Sequence, residues 1–321
     1  MKDNKYFLLQ KDKETISVNT LENNEICELK TYTVNKKTIW ATDGSENLAT
    51  LNTVTKLLEI INFHTNEVAQ LVLPYKFEPK SVLLNSDNLF VGGILQNEML
   101  VQFHLKTQKW YSLDIPEELK YPGKAIDDLL ANETQLIAID NIVYPKYLIY
   151  YNLDMTGKVS LSHVLELKGT GTYENITRGF HTENYLGLIS DTWGECGAFE
   201  FISIYDKKDM DRSFSLMLKE CRDLSQVIKK RINDLAIIEN TLFFADKDKG
   251  LGRFQIKDYY FKSSEDDNSF VFDEDIPEAE IRFEQFKGKK IIKLTVIPNT
   301  NKVVLTLENW KKILTHKIVE I

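Results

Sequence analysis

One pattern recurs along this 321-residue chain and restricts its fold more than any other feature. A short apolar run ends in a polar turn, and a longer aromatic or β-branched run follows. The first runs are TIWATDG (38–44), NLFVGG (88–93), QLIAIDN (135–141), YLGLISD (185–191), TLFFADK (241–247) and KVVLTLEN (302–309). The second runs are LLEIINFH (57–64), MLVQFHL (99–105), YLIYYNLD (147–154), AFEFISIYD (198–206), LGRFQIK (251–257) and ILTHKIV (313–319). Successive first runs start 47 to 61 residues apart. Short β-branched and aromatic runs bounded by Gly, Asn and Asp read as strands. Another strand precedes each pair: CELKTYTV, KSVLL, AIDDLL, NITRGF, INDLAII and KIIKLTVI. A fourth follows in most repeats: VAQLVL, KWYSLDI, VSLSHVLEL, RSFSLML and, less regularly, DYYFKS.

Strands such as TLFFA and YLIYY are apolar at consecutive positions, so both faces of each sheet must be covered. Stacked repeats of four antiparallel strands satisfy this, because each sheet buries its neighbour's face. On these residues the whole chain resembles the β-propeller repeat proteins. The resemblance implies an all-β fold of six four-stranded blades, at 21–74, 80–115, 124–167, 173–218, 231–262 and 290–321. The last blade lacks a fourth strand, and KYFLLQ and TISVN, within 1–20, are expected to complete it and close the ring, leaving no open strand edge. A seventh blade requires a further repeat within 1–30 or 258–290. A pair of β-sandwiches would not produce the four-strand period. The GH…WD signature is absent, and a double glycine occurs at Gly92-Gly93 alone, so no particular propeller family is reached.

The formal net charge is -8, from 40 Lys and Arg against 48 Asp and Glu, which disfavours a nucleic-acid binder. Three scattered cysteines, Cys27, Cys196 and Cys221, form no C-x-x-C pair, so a disulfide framework is not expected. No apolar stretch approaches the ~20 residues that span a bilayer, and MKDNKYFLLQKDKE lacks the apolar core of a signal peptide. A reduced, cytoplasmic setting is the expectation.

The propeller template places the turn between second and third strands on the face that carries the links between blades. Asp43, Asp140, Asp191 and Asp246 align at that turn, with Glu308 nearby in the last repeat. They read either as an acidic ring for a cation or basic partner, or as turn residues accepting backbone N–H groups. The turn role is the commoner use of Asp and is preferred. Tyr144, Trp193 and Trp310 are expected in loops of the same face, where large aromatics anchor partners. Glu174, Arg178 and His181 are the expected polar groups of the central channel. Cys196 stands beside Glu195 with no histidine nearby in sequence, a poor setting for a reactive thiol. No H-E-x-x-H, G-x-x-x-x-G-K-[ST] or G-x-S-x-G motif occurs. CRDLSQVIKKRIN (221–233) suits a short helix, and SSEDDNSFVFDEDIPEAE (263–280) is densely acidic.

These features point to a non-enzymatic protein-interaction module with no cofactor and no membrane partner. Its partner is read as a protein, and a basic one if the acids form a ring. Two alternatives accompany this reading. One is a metal-dependent small-molecule hydrolase, similar to the lactonase-like propellers that gather carboxylates around calcium. The other is a carbohydrate-binding propeller with Trp193 and Tyr144 against sugar faces.

Overall fold

In the computed structural model the described residues are 6–94, 96, 98–120, 123–132, 134–140, 146–154, 157–166, 175–194, 197–221, 231–263 and 280–320. The architecture is all-β, a β-propeller of seven up-and-down antiparallel sheets in chain order. The first blade is β1 (Tyr6–Gln10), β2 (Thr15–Glu22) and β3 (Glu25–Thr33). The second is β4 (Thr38–Thr42), β5 (Asn47–Asn52), β6 (Leu57–Asn62) and β7 (Val68–Val72). The third is β8 (Glu78–Asn85), β9 (Asn88–Ile94), β10 (Leu100–His104) and β11 (Lys109–Ser112). The fourth is β12 (Ile126–Ala131), β13 (Gln135–Asp140), β14 (Tyr147–Leu153) and β15 (Val159–Glu166). The fifth is β16 (Asn175–His181), β17 (Tyr185–Gly194), β18 (Gly197–Asp206) and β19 (Asp209–Cys221). β20 (Ile232–Ile238), β21 (Thr241–Asp246) and β22 (Gly250–Gln255) begin the sixth. The short β23 (Lys262–Ser263) pairs with β19 of the fifth blade, and β24 (Arg282–Glu284) completes the sixth. The seventh is β25 (Lys289–Val296), β26 (Lys302–Asn309) and β27 (Leu314–Glu320). Blades one to four fall in one compact unit (Met1–Leu167 with Ile297–Asn299) and blades five to seven in another (Lys168–Val296 with Thr300–Ile321).

The count is seven blades, not six. The N-terminal strands pair with each other, Leu8 opposite Val18, and β2 continues into β3. The cause is local. Asn23 (φ 48°) and Asn24 (φ 66°) both sit in the left-handed region, so Glu22 and Glu25 close a two-residue hairpin. Asn tolerates that conformation better than most residues, and a turn of this hand matches strand twist. CELKTYTV is therefore the third strand of the first blade, and TIWAT opens the second blade instead of being its second strand.

The cores lie between successive sheets. In the sixth blade, Ile237, Leu242 and Phe244 pack toward the fifth blade against Ile189, Ile202 and Phe214. The alternate residues Ala236, Phe243 and Ala245 pack toward the seventh against Leu294, Val303 and Leu305. The period-2 side-chain alternation of a strand thus explains why TLFFA is apolar throughout. In the other unit, Leu8, Val18 and Leu48 join the first and second blades, Leu58, Val91 and Phe103 the second and third, and Phe90, Leu136 and Tyr151 the third and fourth. Each Val, Leu, Ile or Phe side chain among them, fully buried, contributes about 1.5–3 kcal/mol relative to exposure.

Five of the blades share a β-bulge near the start of the first strand, where the register with the second strand shifts. The shifts fall at Pro79/Ser81, Ile126/Asp128, Ile176/Arg178, Ile232/Leu235 and Ile291/Lys293. A bulge leaves backbone groups outside the ladder, and here the adjacent blade satisfies some of them. Ser81 Oγ donates to the Ile126 carbonyl at 3.0 Å, and Asn233 Nδ2 donates to the Ile291 carbonyl at 2.6 Å.

Candidate functional site

The turn acids have three different fates. Asp43 Oδ1 accepts the backbone N–H groups of Ser45, Glu46 and Asn47 at 2.8–3.0 Å, and Oδ2 accepts Asn47 Nδ2. Because β4 is a first strand, this turn joins first to second strands, the opposite end of a blade from the one expected. Asp246 accepts from the N–H groups of Asp248 and Lys249 and pairs with Arg231 at 2.6 Å. Its side chain is 0% exposed. Asp140 pairs with Lys124 at 2.5 Å, both side chains fully buried, and the Lys124 ammonium lies 4.8 Å from the Tyr147 ring centroid. Desolvation outweighs this pairing and pushes the Asp140 carboxyl up to about 6. Asp43, Asp140 and Asp246 are thus committed to turns and buried ion pairs, and these three do not present an open acidic surface. Among the described residues no group of three or more His, Cys, Asp and Glu side chains could hold a metal ion.

The structure brings Glu308 and Trp310 together at a groove of ≈ 640 Å³ in the unit of blades five to seven. Three segments build it. One is the β21–β22 turn, where Gly250 adopts φ +96° and a Cβ would stand 2.2 Å from the Glu284 carbonyl oxygen. The second is the stretch from β24 into β25, including Phe286. The third is the β26–β27 turn, held by Asn309 Oδ1, which accepts from the N–H groups of Lys311 and Ile313. Trp310 at its tip is 82% exposed, and the Lys311 ammonium lies 4.9 Å from its ring centroid. Five lysines line the groove, Lys247, Lys287, Lys289, Lys290 and Lys312, against the two carboxylates of Asp248 and Glu308. Glu308 is bound by Lys312 at 2.8 Å. This groove is basic, opposite in sign to the acidic ring that was the less favoured reading of the turn acids.

The expected channel residues separate. Arg178 Nε donates to Asp234 Oδ1 at 2.9 Å. Asp234 also accepts the N–H of Leu235 and, through Oδ2, the N–H of Leu294 at 2.9 Å. One buried carboxylate thus ties the first strands of the fifth, sixth and seventh blades. Lys293, half-buried beside it, has its pKa pushed down to about 8, by desolvation first and by Arg178 second. His181 stands at the far end of β16, away from the bulge. Burial, and then the Lys207 ammonium, lowers its pKa to about 3, and neither ring nitrogen meets a hydrogen-bond partner among the described residues.

Trp193 and Asp191 lie within β17 and not in a loop, since that strand continues to Gly194, with Trp193 opposite Ala198 and Asp191 opposite Glu200. Tyr144, Glu174, Cys196, residues 222–230 of the stretch expected to form a helix and most of the acidic segment fall outside the described residues, while Cys221 ends β19 and Ile232 opens β20. Sequence reading missed the lysines. Their signal is visible in DKDKG (246–250), KGKK (287–290) and NWKK (309–312), three tips that share a place only after folding.

No family model matches the chain, and no curated protein matches it. Among solved structures it is similar to the computationally designed Ika8 protein, with a TM-score of 0.54 and 12% identity over 99% of this chain and 81% of that one. It also aligns with a chain of the nidogen–laminin complex, at 10% identity and a TM-score of 0.46 over 78% of this chain and 89% of that one. At such identities the likeness to Ika8 speaks to fold alone, and the fold is a β-propeller with no named family.

Proposed function

We propose that this protein is an interaction module that binds a macromolecular partner, a protein, through the groove between the β21–β22 and β26–β27 turns. The observation that carries the reading is Trp310, 82% exposed on the rim of a ≈ 640 Å³ concavity. A large aromatic held in water by a well-braced turn has apolar area to bury on association, and Trp is the residue most enriched at interface hot spots. Binding is preferred to catalysis because the buried acids are committed to structural contacts. The test is Trp310→Ala. A hot-spot tryptophan is worth ~2 kcal/mol or more, so affinity for a protein partner should fall by roughly 30-fold while Tm stays within ~1 °C. Unchanged affinity would place the interface elsewhere.

A further inference from the structure

The groove has a sign as well as a shape, and the two together specify an occupant. Resting on the binding reading above, we propose that it takes an acidic segment of a protein partner, with several carboxylates and an aromatic or large apolar side chain among them. The five lysines come from three separate segments, and two of the three also carry an aromatic, Phe286 and Trp310. Lysine is a compact point charge on a flexible stem, whereas single phosphates are typically gripped by arginine forks. Among the described residues the lining contains no arginine. Its cations are distributed along the walls, which matches a run of carboxylates better than one phosphoryl group.

The net charge of the chain is compatible with this polarity. The segment 264–279 holds seven carboxylates and no cation, so the other residues together carry a net charge of only -1. The formal -8 is thus carried almost entirely by one stretch of sequence, whereas the groove lining sets five lysines against two carboxylates. Lys287, Lys289, Lys290 and Lys312 are exposed, where they act on an approaching partner through a field that salt screens within about 8 Å at physiological ionic strength. Such a surface chiefly sets encounter rate and partner choice, while Trp310 supplies desolvated contact area.

The experiment is a fluorescence-anisotropy titration of the full chain with three probes. They are a short Asp/Glu-rich peptide containing one Phe, the same peptide with every Asp and Glu replaced by Asn and Gln, and an oligo-dT of similar length. The acidic peptide should bind saturably and weaken by at least ~10-fold in its Asn/Gln form. Lys287→Glu with Lys290→Glu should weaken it by at least ~10-fold, and Lys287→Gln with Lys290→Gln by a smaller factor, with circular dichroism unchanged in both. Raising salt from about 50 to about 300 mM should weaken the acidic peptide and leave the Asn/Gln peptide nearly unaffected. Equal binding of the two peptides, lost in Trp310→Ala but indifferent to lysine reversal, overturns the acidic preference while leaving the groove as a docking site. Binding that ignores Trp310 and the lysines alike overturns both. Oligo-dT binding tighter than the acidic peptide, or no acidic-peptide binding at about 1 mM, also overturns the proposal.

Discussion

Asp140 and Asp43 were indistinguishable as letters, each an aspartate closing an apolar run, yet the fold uses them differently. Asp43 caps a turn through four short hydrogen bonds, whereas Asp140 is half of a buried ion pair with Lys124. The turn role was legible because Asp commonly bonds backbone N–H groups just beyond itself. The ion pair was not, because Lys124 approaches from the link that precedes β12 and nothing local announces it. Asp140→Ala should cost about 3–5 kcal/mol in denaturant unfolding, since it strands a buried ammonium, and replacing both residues with Met should recover most of that loss. A loss near zero would contradict the pairing. His181 gives a pH prediction. Its folded pKa of about 3 lies below the ordinary 6.5, so the unfolded chain takes up a proton more readily. Its contribution to stability is full above pH 6.5 and is lost as pH falls toward 3. Asp140, raised to about 6, acts in the other sense, its contribution present below the ordinary 3.8 and lost as pH rises through about 6. Thermal melts of His181→Gln should therefore fall less steeply than the parent between pH 6.5 and about 4, and parallel slopes would contradict the assignment.

At the scale of strands and turns, the four-strand period was legible because apolar runs of strand length survive in any register. Its phase in the first two blades was not. The Asn23-Asn24 hairpin makes a complete sheet from residues expected to close the last one, and this moves TIWAT from second strand to first. The bulges were invisible as well, since a bulge is one residue out of step in a pairing the sequence does not state. They are nevertheless where blades are tied together. Asp234→Ala removes the acceptor of two backbone N–H groups and of Arg178 Nε, and should cost about 3 kcal/mol or more. Asp234→Asn should retain part of it, and equal losses in the two would argue against the charge mattering. Gly252 has a different reason to be small. A Cβ there would stand 2.2 Å from the Phe244 ring, so Gly252→Ala should destabilise by about 1–3 kcal/mol through displacement of that ring.

For the molecule as a whole, fold class was readable and polarity was not. Net charge averages over the chain, and one short acidic segment supplies nearly all of it. The groove lysines are spread over more than sixty residues of sequence and converge only through blade stacking, so a net charge of -8 gave no hint of a basic groove. What most needs checking is therefore an exposed Trp310 lying among lysines. Collisional quenching reads both properties at once, with iodide and caesium as ions of opposite sign, and Trp310→Phe identifies the contribution of this tryptophan among the four. The component lost in Trp310→Phe should be quenched several-fold more efficiently by iodide than by caesium at low salt, with the difference shrinking as ionic strength rises. Equal quenching by the two ions, or stronger quenching by caesium, would contradict it.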